Sequence, residues 1–128
     1  MVLGERQGPA EALCFSPLLP DVGLIKPVLE TAADDLDRAL ALNVVGAAAA
    51  ARAVLPAMRT AGRGTLLFVT GGAVVHPNPD RAASAIVGSA GHAYAALLSQ
   101  ALTDTLMHVA HLVVPSHDIG SSRSGWRA

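Results

Sequence analysis

The sequence contains few of the residues that carry most protein chemistry. It has one cysteine, one tyrosine, one tryptophan and two phenylalanines among 128 residues, and only 15% of its residues are charged. The single cysteine, Cys14, excludes an intramolecular disulfide, and its apolar neighbours indicate a buried thiol rather than a reactive one. A fold held together by disulfides is therefore excluded.

Charge of either sign is also scarce. Nine basic residues stand against ten acidic ones, the net charge is -1, and there is no basic run. Because nucleic-acid affinity depends on neutralising phosphates, we expect no nucleic-acid partner. No apolar run reaches the roughly 18 residues that span a bilayer, and residues 1–9 lack the apolar core of a signal peptide. We therefore expect a cytoplasmic protein that does not enter a membrane.

Apolar residues are what the chain has in excess. They make up 52% of it, and the mean hydropathy is +0.44. A chain of 128 residues is one domain at most, long enough to form a real core. So apolar a composition at this size indicates a large covered surface, buried by the chain itself or by a partner.

One long helix and the strand after it organise the chain. Apolar residues recur every three or four positions between 36 and 58, which predicts a helix over residues 31–61. Thr31 is the predicted N-cap, with Asp34 three residues later, and Pro56 is expected to kink the last turns. Gly62 and Gly64 end the helix. The apolar run 65–70 predicts an inner strand of a parallel sheet, covered by helices on both faces.

The rest of the chain repeats this alternation. Apolar runs at 11–16 and 108–114 predict two further strands, and the alanine- and leucine-rich stretch 82–107 predicts a second crossover helix. We expect an α/β fold of order β-α-β-α-β, with three parallel strands lying side by side in chain order. The domain is predicted over 11–115, after a lead-in at 1–10 and before a flexible tail at 116–128.

Several segments carry patterns that belong together in one family. Residues 42–47 read LNVVGA, residues 55–58 read LPAM, and residues 64–70 read GTLLFVT. In this order, after LIKPVLE at 24–30, they resemble the C-terminal half of the short-chain dehydrogenase/reductase family over roughly residues 11 to 120. The resemblance implies a partial Rossmann-like fold and a relationship to NAD(P)-dependent oxidoreductases.

The residues that perform the family's chemistry are largely replaced here. The resemblance places the catalytic serine at Gly71 or Gly72 and the tyrosine and lysine at Gly88 and His92, while Asn43 matches the remaining catalytic position. The glycine-rich dinucleotide loop has no counterpart, because the chain is expected to begin near the family's fourth strand. The resemblance therefore implies a degenerate active site.

The cofactor enters only through this resemblance. Pro115 and Ile119 match positions on the nicotinamide side and are the candidate cofactor-binding residues. The lysine that holds the ribose is replaced by His92, and the tyrosine that acts as acid and base is replaced by Gly88. We expect no cofactor on the isolated chain, although the family as a whole uses NAD(P).

Asn43 and His92 are the candidate catalytic residues, and each also has a simpler explanation. His92 could serve as a base, or it could be an ordinary histidine on a helix surface. In the family the residue at Asn43 supports a water relay through a helix distortion; the alternative is a structural hydrogen bond. His108 and His111 have a metal-like spacing, but residues three apart on a strand point to opposite faces, so no metal site is expected.

Three functions remain open at this stage. The chain could be a truncated or degenerate dehydrogenase relative without activity of its own. It could be a non-catalytic interaction module, because helices 31–61 and 82–107 resemble those of the family's four-helix dimer contact; we expect a homo-oligomer through them. It could also be an oxidoreductase whose cofactor-binding half comes from another chain.

Overall fold

Three strands and two helical crossovers form the framework of the protein. The computed structural model describes residues 11–17, 19, 22–71 and 77–114. Its strands are β1 (Ala12–Phe15), β2 (Gly64–Gly71) and β3 (Met107–Val114). The first crossover consists of α1 (Ala33–Leu40), a π-helical turn (Ala41–Val45) and α2 (Gly46–Ala61); the second is α3 (Ala82–Ala101). Single 3-10 turns occupy Val22–Leu24, Val28–Glu30 and Pro79–Arg81.

The strands form one parallel sheet in the order β1-β2-β3. Leu13 pairs with Leu66 across the first ladder, and Leu66 pairs with Val109 across the second. Spatial order, strand direction and the positions of the three strands confirm the α/β prediction. β1 is an edge strand, as expected, but its Leu13 side chain is only 1% exposed, so the edge presents backbone rather than that side chain.

Both crossovers pack against the same face of the sheet. Leu13, Leu66 and Phe68 share one buried cluster with residues from both helices. Crossovers of one hand place successive helices on one side when strands follow chain order. The prediction of helices on both faces of β2 is therefore wrong within the described residues. The other face consists of alternate residues of the three strands: Ala12, Cys14, Thr65, Leu67, Val69, His108, Ala110, Leu112 and Val114.

That second face is open to solvent over much of its area. Thr65 and His108 are exposed, and Leu112 and Val114 are 51% and 48% exposed. Cys14 is half-buried on the same face rather than fully buried as the sequence indicated. Most residues of this face are apolar, and no described element covers them.

The first helix begins differently from the prediction. The Thr31 hydroxyl donates to the carbonyl of Pro27 at 2.9 Å and does not cap the helix. The Asp35 carboxylate instead accepts the backbone N–H of Ala32, the N-cap residue, at 2.9 Å and pairs with Lys26 at 3.0 Å. Thr31 is diverted because the preceding 3-10 turn offers its hydroxyl a nearby carbonyl.

The first helix ends as the sequence predicts. Gly62 has a φ of +77°, a left-handed conformation that a Cβ would strain. Its N–H donates to the carbonyl of Arg59, and the N–H of Arg63 donates to that of Met58. This pair of bonds is a Schellman motif. The helix itself continues through Pro56.

The second helix is six residues shorter than predicted. It ends at Ala101, and residues 102–106 form turns before β3. The Thr103 hydroxyl donates to the carbonyl of Ser99, and the Thr105 hydroxyl donates to that of Leu102. Threonine side chains that bond to nearby backbone compete with helical bonds, which explains the early stop.

By length and composition alone, one helix among the described residues could cross a membrane. The continuous helix Ala33–Ala61 has 29 residues. Its most apolar 18-residue segment has a mean hydropathy of 1.6, and 22% of that segment is buried. A core helix of a soluble protein meets the same criteria. Here Ala47, Ala51, Val54 and Met58 of this helix are buried in the cluster under the sheet.

Some predictions fall outside the described residues. These are the lead-in at 1–10, the tail at 116–128, Gly72, and both candidate cofactor residues, Pro115 and Ile119.

Candidate functional site

A pocket opens at the carboxyl ends of β1 and β2. Its volume is about 180 Å³, and its polar lining comes from Asn43, Thr70, Arg81 and Ser84. The apolar lining comes from Pro17, Leu19, Val69, Gly71, Val87 and Gly88. The carboxyl ends of parallel strands are where open α/β sheets bind ligands. This pocket is therefore the candidate functional site.

Asn43 reaches the pocket from the π-helical turn. Its Nδ2 donates to the carbonyl of Ala39 at 3.0 Å, and the residue also lines the pocket. A π turn inside an α-helix frequently marks a functional position, because it changes where side chains point. The structural hydrogen bond is present, and the helix distortion implied by the family resemblance is present beside it.

The start of α3 supplies the opposite wall. The Asn78 side chain accepts the N–H of Asp80 at 2.9 Å, and the N–H of Ala82 donates to the carbonyl of Lys26. These bonds fix the first turn, so that Arg81 and Ser84 line the pocket. Neither residue is predicted from the sequence to be part of a site. Arg81 could have been recognised in the sequence, because it is an arginine directly before a helix without charged residues.

Glycines stand where the resemblance would place reactive side chains. Gly88 is buried in the pocket wall, and Gly71 ends β2 beside it. Tyr94 does not replace the missing phenol, because its ring packs edge-on against Phe68 with centroids 5.9 Å apart. Burial raises the pKa of Tyr94, with a smaller opposing effect from the charge of Arg52, so the phenol stays protonated at neutral pH.

His92 is part of a hydrogen-bonded chain that leads to the pocket. Its Nδ1 lies 2.7 Å from Nδ1 of His111, and Nε2 of His111 lies 2.7 Å from the Thr70 hydroxyl. Thr70 lines the pocket, whereas His92 is exposed to solvent. His108 is exposed on the open face of the sheet, so the prediction that His108 and His111 diverge is confirmed.

Burial lowers the pKa of His111, and the neighbouring His92 lowers it further. The ring is therefore held in its neutral form, able to accept a proton. Neither the contact between His92 and His111 nor the position of Thr70 at the pocket is predicted from the sequence. The contact depends on how α3 crosses β3, and no local sequence pattern encodes that crossing.

The pocket is small, and its described lining contains no glycine-rich turn. Binding sites for drug-sized molecules have volumes of about 300 Å³ or more, and this pocket holds about 180 Å³. β1 is followed by Ser16 and Pro17 rather than by a glycine-rich turn. Within the described residues, no three His, Cys, Asp or Glu side chains converge as metal ligands.

Comparison with solved structures identifies the fold. An acetoin dehydrogenase from Enterobacter cloacae superposes with a TM-score of 0.78 at 18% identity, covering 88% of this chain and 45% of the enzyme. An NAD+-bound xylitol dehydrogenase superposes with a TM-score of 0.77 at 23% identity, covering 87% of this chain and 42% of the enzyme. A halohydrin dehalogenase bound to ethyl (2S)-oxiran-2-ylacetate superposes with a TM-score of 0.77 at 21% identity, covering 88% of this chain and 44% of the dehalogenase.

The chain has the fold of the matching part of these enzymes, a partial Rossmann-like fold. This confirms the resemblance read from residues 42–70 at the level of fold. The chain spans less than half the length of the three enzymes. The sequence itself matches no protein-family model and no curated protein.

Proposed function

We propose that this chain is a partial short-chain dehydrogenase/reductase domain that does not transfer hydride by itself. The observation that carries the proposal is Gly88, which is buried in the wall of the pocket and which the resemblance aligns with the family's tyrosine. General acid–base help to the substrate oxygen contributes about 10²–10⁴ in rate, and glycine supplies none. NAD(P) is the cofactor by family resemblance only.

Cofactor positioning is the larger deficit. In the family the ribose is held by a lysine, and the corresponding His92 is here engaged with His111. The double variant Gly88→Tyr with His92→Lys is therefore expected to leave hydride transfer undetectable. Restoring two catalytic groups does not restore the glycine-rich turn that binds the pyrophosphate.

Calorimetric titration of the unmodified chain with NADH and NADPH tests the proposal. We expect no saturable heat, with an active short-chain dehydrogenase as positive control. Low-micromolar binding would contradict the proposal and would favour an oxidoreductase site built in another way, including one completed by a second chain.

A second function, self-association, is favoured by the composition of α3. The 20-residue helix contains no Asp, Glu, Lys or Arg. Its exposed residues include Ile86 and Leu97, which are 40% and 64% exposed, together with Ala93 and Ala96. An uncharged, partly apolar helix face is typical of a contact surface. We propose a homodimer through this face and that of the first helix, in a cytoplasmic protein without nucleic-acid partners.

A further inference from the structure

The hydrogen-bonded chain from Thr70 to His92 links a pocket to solvent through two imidazole rings. The Thr70 hydroxyl lines the pocket, His111 is half-buried behind it, and His92 is exposed. Both links are 2.7 Å long. A hydroxyl bonded to an imidazole, which is in turn oriented by a third group, is the arrangement that activates a hydroxyl as a nucleophile.

Two arrangements of protons satisfy both contacts when the rings are neutral. In one, the hydroxyl donates to Nε2 of His111, and Nδ1–H of His111 donates to Nδ1 of His92. In the other, every proton points the opposite way. The first arrangement leaves His111 ready to receive the hydroxyl proton, and it leaves His92 placed to stabilise the resulting imidazolium by accepting its hydrogen bond.

Within the described residues, the helix and strands packed around His111 carry no charged side chain. α3, β2 and β3, the elements packed around His111, contain no Asp, Glu, Lys or Arg, and His108 of β3 lies on the other face of the sheet. The protonation of His111 is therefore governed by its burial and by His92. Arg81 and Ser84 line the same pocket and offer donors to a developing negative charge.

We propose that Thr70, His111 and His92 form a nucleophile, base and orienting group that hydrolyse small acyl esters. Thr70 and His111 are the catalytic residues, and His92 is the positioning residue. The activity is independent of NAD(P) and of the dehydrogenase relationship.

The reaction consumes one ester and one water molecule and needs no other reactant. The Thr70 oxygen bonds to the ester carbonyl carbon while its proton moves to Nε2 of His111. As the bond to the alcohol oxygen breaks, His111 returns the proton to that oxygen, and the acyl group stays on Thr70. Water then attacks the acyl carbon, losing a proton to His111. The bond to Thr70 breaks, the hydroxyl regains the proton, and a carboxylic acid leaves.

The size of the pocket sets the substrate class. A volume of about 180 Å³ lies below that of sites for drug-sized ligands, and Val69, Val87 and Leu19 line it with apolar surface. These features favour a short, uncharged acyl group such as acetyl or butyryl.

The test is hydrolysis of p-nitrophenyl acetate by the full chain carrying Cys14→Ala, which removes the one thiol that could react. In this background Thr70→Val and His111→Gln are each expected to lower the rate by about 10²-fold or more, while Thr70→Ser keeps it within about tenfold. His92→Gln is expected to lower the rate less and to shift the pH at which His111 titrates. His108→Gln is the matched control and should change nothing.

Other outcomes would overturn the proposal. One is a rate of p-nitrophenyl acetate hydrolysis no higher than that of equimolar free imidazole. Another is an unchanged rate in Thr70→Val, which would show direct attack by histidine. If Thr70→Val does not fold by circular dichroism, peptide mapping of the acid-quenched parent chain decides. Acetyl on Thr70 supports the proposal, and acetyl elsewhere or nowhere overturns it. Equal rates with the octanoate ester would overturn the substrate class.

Discussion

Gly64 lies directly against the Met58 side chain, at the point where β2 begins. A Cβ built on Gly64 would lie 2.5 Å from the sulfur and 2.9 Å from Cβ of Met58, which is itself 1% exposed. Gly64→Ala is therefore expected to lower the free energy of unfolding by about 1–3 kcal/mol, because the contact includes Cβ and not only the flexible end of the side chain. Urea denaturation measures this. Gly71→Ala is the control, since nothing lies within 4 Å of its added methyl group; equal losses in both variants would contradict the packing explanation.

The pair of histidines makes stability depend on pH. Because the pKa of His111 is lower in the folded chain than its ordinary value of 6.5, the unfolded chain binds the proton more tightly. Stability is therefore expected to fall as the pH drops below about 6.5, and the fall ends once the pH is below the folded pKa. His111→Gln should remove this part of the pH dependence in thermal unfolding between pH 7 and 5. His108→Gln, exposed on the other face, should keep it; the same pH dependence in both variants would count against this origin.

Resemblance and geometry revealed different residues of the site. Asn43 was predicted from a short family pattern, and the structure places it at the pocket. The link between His92 and His111 joins residues 19 apart in sequence and depends on how α3 crosses β3. No local pattern encodes that crossing. The sequence therefore identified His92 as a single residue but could not identify its partner or the hydroxyl beyond it.

The start of the first helix depends on Asp35 rather than on the residues that the sequence favoured. Its carboxylate accepts the Ala32 N–H and pairs with Lys26, and these contacts, in that order, lower its pKa. Asp35→Ala is expected to lower the urea midpoint at pH 7, whereas Asp34→Ala, an exposed acid one position earlier, should change it little. A carboxyl with a lowered pKa stabilises above its unfolded value of about 3.9, and this is lost as the pH falls through the folded pKa. The difference between parent and Asp35→Ala should therefore vanish in acid; a difference that persists at pH 2 would contradict the assignment.

Strands and helices were predictable here because their signals are local and repeated. The apolar run at 65–70 and the helical periodicity over 36–58 survive as β2 and the first crossover. Boundaries set by single side chains were not predictable. Thr103 and Thr105 end α3 through hydrogen bonds to backbone that exist only once the turn has formed. Likewise, both helices pack on one face of the sheet because of the strand order, and the residue pattern along a single strand cannot predict this.

Self-association of the protein is expected through the uncharged outer face of α3. Placing glutamates at Ala93 and Leu97 should shift the chain to a monomer, because two like charges on each partner would meet across the contact. Sedimentation velocity over a concentration series measures this, with Leu106→Glu as a control at another exposed leucine, between α3 and β3. A parent chain that is monomeric at all concentrations would rule out the contact. An unchanged dimer in the double variant would move it elsewhere, and the open face around Leu112 is then the next surface to alter.

β2 belongs to two structural units at once, because it closes the first β-α-β unit and opens the second. Its backbone is paired along both edges, whereas β1 is a four-residue edge strand. In hydrogen exchange, the amides of β2 should therefore respond only to global unfolding, while those of β1 also exchange through local opening. The chain behaves as two overlapping cooperative units with one strand in common. Neither unit can open around β2 without loosening the other, so cooperativity in this small sheet depends on its middle strand.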